Sequence, residues 1–225
     1  MNLEVRSVVD ALRSEMQSRI LKGSIPAGTA LAEVSVAEMF NVARPTAKAA
    51  IEQLVQVGLL RRSRNKTARV PLLNLADVAD LYLARGTVET AVTRILAERG
   101  EVSNGAVEAL ARFRAAIDDP QLVTVLVQAD VDFHSALVLA TGSPRLRRLH
   151  EMVIGEAHLC MAQVQTHHLL DPRVIADEHA RILASIEAGE AERAASLMNA
   201  HISGASNRLV AYLQQEEIVA QETES

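Results

Sequence analysis

One stretch decides the fold: Ser35-Val-Ala-Glu-Met-Phe-Asn-Val-Ala-Arg-Pro-Thr-Ala-Lys-Ala-Ala-Ile-Glu-Gln-Leu-Val-Gln-Val-Gly58. Its first four residues, Ser35–Glu38, have the form of a capping box, so a helix is predicted to begin at Ser35. Asn41–Ala43 can form a tight turn, and a further helix is predicted over about 45–57, with Gly58 as its C-terminal cap. The stretch therefore predicts two short helices joined by a tight turn.

Residues on either side complete a three-helix module with a basic hairpin. Apolar positions recur at helical spacing over residues 4–22, which predicts a first helix, and the turn residues of Gly23–Gly28 break it. After Gly58 the chain predicts two short strands with a basic tip, whose cations are Arg61, Arg62, Arg64, Lys66 and Arg69. This order is typical of a winged helix-turn-helix domain, which we assign to residues 1–72.

The third helix of such a domain enters the major groove of DNA. Its exposed N-terminal part carries three residues that we predict to contact DNA, namely Arg44, Thr46 and Lys48. Salt-dependent affinity would come from phosphate contacts by the hairpin cations Arg62, Arg64 and Lys66. The alternative is a helical hairpin whose surface charges are simply solvated.

The distribution of charge supports this division. The 225-residue chain has a net charge of −5, but residues 1–72 hold 11 Lys and Arg against 6 Asp and Glu, a balance of +5. The remaining residues carry −10, so a basic head is joined to an acidic body. Only 2% of the residues are aromatic, which argues against a protein that binds single strands by base stacking.

Residues 5–71 resemble the DNA-binding domain of GntR-family bacterial transcription regulators. The resemblance is specific in its spacing and lies in Ile20–Gly28, Leu31, Glu33, Val36–Val42 and Leu54–Leu60. It departs at the start of the third helix, where the family usually reads Ser-Arg-Thr-Pro-Val-Arg-Glu-Ala and this chain reads Ala43-Arg-Pro-Thr-Ala-Lys-Ala-Ala50. The resemblance implies binding to operator DNA but does not predict the operator sequence.

That departure bears on how DNA is contacted. A residue before proline is pushed out of the α region, so Arg44 is predicted just outside the helix, with Pro45 at its first position. Lys48 stands where the family has an arginine. It is a point charge rather than a bidentate fork, so it suits phosphate better than guanine.

From Leu75 onward the sequence predicts six helices separated by Gly and Pro breaks, at about 76–99, 104–118, 121–141, 144–168, 172–188 and 190–217. An antiparallel bundle is the expected packing, so the fold class is mainly α. We assign this effector-binding and dimerisation domain to residues 76–217 and expect a disordered tail over 218–225. The N-terminus is charged and no apolar run is long enough to span a bilayer, so a cytoplasmic protein is expected.

Polar residues on apolar helix faces are the candidates for a site. Asp130 and His134 are four apart on one face, and His179 and His201 lie on apolar stripes of two further helices. One divalent cation would satisfy all four, and this donor set suits Zn²⁺, Ni²⁺ or another late first-row metal, with Mn²⁺ also compatible. The alternative is a set of hydrogen-bonded core histidines. Surface or helix-end positions are predicted for the other four histidines, His150, His158, His167 and His168.

Residues of the acidic body resemble FCD, the effector-binding domain of one large branch of GntR regulators. The resemblance covers roughly 76–215 and is carried by Asp130–His134, Ala140–Leu146, Glu178–Ile186 and Ala194–His201. It implies a divalent metal at the base of an effector pocket, held by the four residues named above. The six helices predicted here resemble the shorter variant of this branch, which has six helices rather than seven.

Arg85 is a candidate for contact with the effector. It lies on an apolar face, and its structural alternative is an ion pair with Glu89 at i+4. The resemblance implies an arginine at this position that often meets the effector. A guanidinium beside a metal binds a carboxylate well, so a small organic acid is the expected effector. Arg145 is a weaker candidate in an exposed loop.

These features predict a ligand-responsive transcription regulator rather than an enzyme. Two copies would pair so that two heads reach the half-sites of a palindromic operator. The family's usual mode is repression relieved by effector, which requires the effector to bind one arrangement of the protein better than the other. Two alternatives stay open: a metal-dependent enzyme with a helical active site, and an architectural DNA-binding protein without a ligand.

Overall fold

The computed structural model describes residues 7–64, 66–119, 122–164 and 171–223. This part of the chain forms two short strands and nine helices: α1 (Val8–Leu21), β1 (Ala30–Leu31), α2 (Glu33–Phe40), α3 (Arg44–Gln56), β2 (Ala68–Arg69), α4 (Leu75–Arg99), α5 (Asn104–Ala116), α6 (Val123–Ala140), α7 (Pro144–Val164), α8 (Pro172–Glu187) and α9 (Ala191–Thr223). The predicted mainly α fold is confirmed. The chain divides into two compact units, Met1–Leu72 and Leu73–Ser225.

The first unit is a winged helix-turn-helix. Helix α3 packs on α1 and α2, and their buried apolar side chains include Met16, Val36, Ile51 and Leu54. Strand β2 pairs antiparallel with β1, while Arg61 forms an isolated bridge to Arg69 on the other side of β2. Strand β1 was absent from the sequence prediction, because two residues are too few to show a strand periodicity.

Two helices of this unit begin earlier than predicted. Helix α2 begins at Glu33, and Ser35 lies inside its first turn, so the predicted capping box is wrong. The pairing of β1 ends at Leu31 and leaves Ala32, in extended conformation, as the N-cap. Helix α3 begins at Arg44, after an extended Ala43. Arg44 is therefore the first residue of the helix, and the prediction that it lies just outside, with Pro45 as the first helical residue, is wrong.

The tight turn between these helices is made by Asn41. Its φ and ψ are both 50°, the left-handed conformation that ends α2. Asparagine tolerates this conformation better than most residues because its short side chain can hydrogen-bond locally. The turn predicted at Asn41–Ala43 is therefore present.

The second unit is the predicted bundle of helices. Helix α4 packs mainly on α9 and α5 mainly on α6, around buried residues such as Leu96, Phe133, Ile182 and Met198. Except at the end of α9, the helix ends lie close to the predicted ones, while the predicted end at residue 168 lies outside the described residues. Helix α9 continues to Thr223, whereas a disordered tail was expected over residues 218–225. Residues 216–223 contain no Gly or Pro, and Glu, Gln and Ala favour helix.

None of the helices within the described residues combines the length and the apolar run that a membrane span requires.

Candidate functional site

Four side chains from three helices of the second unit meet at one buried point. Asp130 and His134 come from α6, His179 from α8 and His201 from α9, and each is at most 8% exposed. One ligand atom from each residue lies within 4.8 Å of the others. The tertiary structure thus brings together the set that the sequence singled out.

Four of the six separations among these atoms are close to those of ligand atoms around one metal ion. Nε2 of His201 lies 3.3 Å from Nε2 of both His179 and His134. Oδ1 of Asp130 lies 3.4 Å from Nε2 of His179 and 3.8 Å from Nε2 of His134. Ligand atoms at about 2.0–2.1 Å from a tetrahedral ion are ~3.3 Å from one another, so these four separations are close to that spacing. The whole set lies within 4.8 Å, so the widest pair must draw together to bind one ion.

The outer nitrogens of two of these histidines face carboxylates. Nδ1 of His201 lies 2.6 Å from Oε2 of Glu178, and Nδ1 of His134 lies against Oε2 of Glu89. An ionised carboxylate only accepts hydrogen bonds, so a neutral ring at either position has its proton on Nδ1 and a lone pair on Nε2. The contact of His134 with Glu89 is an ion pair without hydrogen-bond geometry. Two lone pairs 3.3 Å apart repel each other unless a cation lies between them. The chemistry of the donors therefore fits a divalent metal.

Burial favours the neutral form of two of the three imidazoles, His134 and His179, and a metal ligand must be neutral. Burial lowers the pKa of His134, although the neighbouring Glu89 opposes this shift. Burial and the nearby His201 and His134 hold the pKa of His179 well below its usual value. The ring nitrogens of His134 and His179 are thus available to a metal at neutral pH.

Acidification should destabilise the metal-free protein. The unfolded chain protonates His179 near the usual histidine pKa of 6.5, whereas the folded chain resists protonation. The unfolded state therefore binds more protons, and the free energy of unfolding falls as pH falls below about 6.5. Urea unfolding of chelator-treated protein at about pH 7.5 and about pH 5.5 measures this change. A His179→Gln variant should show a shallower decline, and an equal decline would contradict the assignment.

Glu89 is a buried carboxylate that the sequence indicated only as a partner of Arg85. Arg85 Nε donates to its Oε1 at 2.8 Å, and Nε2 of His150 lies 3.0 Å from the same oxygen. Burial opposes ionisation of Glu89, but Arg85 and His134 outweigh it and hold its pKa well below the usual range. The i+4 ion pair considered as the structural alternative for Arg85 is thus present.

The prediction of surface or helix-end positions is wrong for His150 and His158, which are 2% and 5% exposed. The buried Ile154 lies four residues from each of them, and the buried Ala157 lies seven residues after His150, so both histidines share the buried face of α7. That spacing was the available signal. Burial lowers the pKa of His158 to about 4, so this ring is neutral near pH 7. His167 and His168 lie outside the described residues.

The two arginines predicted to contact an effector differ in environment. Arg85 is buried beside the cluster, with Nη2 4.0 Å from Oδ2 of Asp130, and Nη2 makes no hydrogen bond within the described part of the chain. Arg145 is exposed in the first turn of α7. The structure therefore places Arg85, and not Arg145, next to the candidate metal ligands.

A cavity of about 410 Å³ opens between α4 and α9. Its lining combines small polar side chains, such as Thr87, Asn199, Ser203 and Asn207, with apolar ones such as Leu83. None of the four cluster residues lines it, so it is separate from the candidate metal centre.

The predicted DNA contacts lie mostly at the surface of the first unit. Arg44 and Lys48 are exposed one helical turn apart at the start of α3, and Thr46 is half-buried. In the wing, Arg64 and Lys66 are exposed. Arg62 instead forms an ion pair with Glu52 of α3, which ties the wing to that helix.

Comparison with known protein families matches both parts of the chain. The family described as "Bacterial regulatory proteins, gntR family" matches residues 6–70, and the FCD domain family matches residues 80–204. The "Uncharacterized HTH-type transcriptional regulator BphR" of Paraburkholderia xenovorans (strain LB400) is 27% identical over 210 residues, 88% of this chain and 83% of the relative. A "Probable D-xylose utilization operon transcriptional repressor" of Paenarthrobacter nicotinovorans is 23% identical, with 88% and 86% covered.

Solved structures share the fold. A transcriptional regulator GntR from Rhodococcus sp. RHA1 superimposes with a TM-score of 0.76 at 23% identity, over 92% of this chain and 99% of that one. Escherichia coli McbR/YncC superimposes with a TM-score of 0.73 at 15% identity, over 95% and 100%. At such identities the likeness shows the fold alone.

Proposed function

Because this chain belongs to the GntR family of DNA-binding transcription regulators and carries an FCD domain, we propose that its helical unit senses a small carboxylate beside a bound divalent metal. The observation that carries this proposal is the convergence of Asp130, His134, His179 and His201, whose possible ligand atoms are buried within 4.8 Å of one another. Zn²⁺ or Ni²⁺ suits three imidazoles and one carboxylate best, and Mn²⁺ is also compatible.

The metal would supply a Lewis-acidic position for a carboxylate oxygen. Arg85 supports the choice of ligand, because Nη2 is a buried cationic donor with no hydrogen bond among the described residues. A guanidinium and a carboxylate form strong charge-assisted hydrogen bonds when both are removed from water. Glu89 holds Nε of Arg85 and leaves Nη2 as the donor for the ligand.

Dimerisation and repression complete the proposal. A dimer would present two recognition helices to the half-sites of a palindromic operator. Repression is supported by the description of the Paenarthrobacter nicotinovorans relative as an operon repressor. Effector binding weakens DNA binding if the effector binds more tightly to an arrangement of the dimer that does not fit the operator.

Arg85→Lys should weaken the binding of small carboxylates to the metal-loaded protein about tenfold, because lysine keeps the positive charge but loses the planar fork. The metal content should stay unchanged. The change in melting temperature of the metal-loaded protein on addition of acetate, succinate, malate or citrate measures this binding. Fluorescence anisotropy with DNA from upstream of the protein's own gene, with and without the same acids, tests whether carboxylate binding changes the affinity for DNA. Arg145→Lys is the matched control. Absence of any carboxylate shift in the metal-loaded protein would contradict the proposed effector class.

A further inference from the structure

Glu89 joins three helices of the second unit through one buried carboxylate. Arg85 of α4 and His150 of α7 both contact Oε1, while His134 of α6 contacts Oε2. Glu89 is 1% exposed, so water cannot replace any of these partners at low cost. We propose that Glu89 is the positioning residue that makes His134 a metal ligand, an inference that rests on the proposed metal site.

The reason lies in which ring nitrogen of His134 carries the proton. Oε2 of an ionised Glu89 can only accept, so its ion-pair contact with Nδ1 of His134, which lacks hydrogen-bond geometry, favours the tautomer with the proton on Nδ1. Nε2, which lies 3.3 Å from Nε2 of His201, is then a lone pair that faces the other donors. The opposite tautomer would direct an N–H bond at the position of the metal.

An amide at position 89 cannot reproduce this arrangement. Arg85 Nε is always a donor, so the amide oxygen of a Glu89→Gln variant must stay where Oε1 is. The amide NH₂ then occupies the place of Oε2 and donates to Nδ1 of His134. That hydrogen bond selects the tautomer with the proton on Nε2, which excludes the ring as a ligand.

Glu178 offers a matched control with the same contact and fewer constraints. Its Oε2 lies 2.6 Å from Nδ1 of His201, and its side chain is 28% exposed. A Glu178→Gln variant can turn its amide so that the oxygen faces Nδ1, because no arginine is hydrogen-bonded to its other oxygen within the described residues. His201 would therefore keep its lone pair on Nε2.

The test uses Co²⁺ alone, followed by its visible absorption, with the full-length protein. Glu89→Gln should bind Co²⁺ about 10–100-fold more weakly than wild type, whereas Glu178→Gln should stay within about threefold. Equal affinities for wild type and Glu89→Gln would overturn the inference. If His179→Ala also leaves Co²⁺ binding unchanged, the proposed metal site itself fails. If only His179→Ala loses the metal, the site stands and the role of Glu89 does not.

A second measurement can test the inference on the wild-type protein first. Ring ¹⁵N chemical shifts of metal-free wild-type protein report which nitrogen of His134 is protonated. A proton on Nδ1 is the expected result, and a proton on Nε2 would overturn the inference. In Glu89→Gln the proton should move to Nε2, a change that a purely structural role of Glu89 would not produce.

Discussion

His179→Ala should reduce bound metal from about one ion per chain to a trace. Nε2 of His179 lies within 3.4 Å of both His201 Nε2 and Asp130 Oδ1, so its removal opens one side of the site. Loss of a residue that only supports a ligand costs about 10–100-fold in metal affinity, and loss of a ligand itself should cost more. Elemental analysis of protein purified without a His-tag measures the effect directly.

His158→Ala is the matched control for this experiment. It also removes a buried histidine from the second unit, but His158 is not one of the four clustered residues. His179 stacks on Phe133 with ring centroids 3.9 Å apart, so alanine there also leaves a cavity that costs ~2–5 kcal/mol. Urea unfolding of both metal-free variants separates this packing loss from the metal effect. Equal metal content in the two variants would contradict the ligand assignment.

The double variant Arg44→Ala/Lys48→Ala should bind operator DNA about 100-fold more weakly than wild type, if each lost contact costs ~1–2 kcal/mol. Both side chains are exposed one turn apart at the beginning of α3, the helix expected in the major groove. Arg44 also lies 3.3 Å from Glu33, an exposed pair that is weak enough to exchange for a phosphate or a base.

Fluorescence anisotropy with DNA from upstream of the protein's own gene, at several salt concentrations, measures this loss. If Lys48 contacts phosphate, the Lys48→Ala variant should lower the slope of log affinity against log salt by about one. Arg114→Ala, which removes an exposed arginine from α5, is the control and should bind like wild type. Wild-type affinity in the double variant would instead assign the contact to the wing cations Arg64 and Lys66.

Local sequence signals predicted the element boundaries of the helical unit well. Gly100 and Gly189 end helices with φ of 64° and 71°, a conformation that strains other residues, so their effect needs no tertiary context. The start of α2 was mispredicted for the opposite reason. It depends on the pairing of Leu31 with Ala68, and that contact joins segments that are distant in the chain.

The sequence by itself determined the basic head, the acidic body, the turn at Asn41 and the helix faces that carry Asp130, His134, His179 and His201, because charge and helical spacing are properties of short segments. Only the tertiary structure decided that these four residues meet, that Glu89 takes donors from three helices, and that His150 and His158 are buried. Such contacts depend on how each helix is rotated about its own axis against its neighbours. Periodicity within one helix identifies its buried face but not the residue on another helix that will contact it.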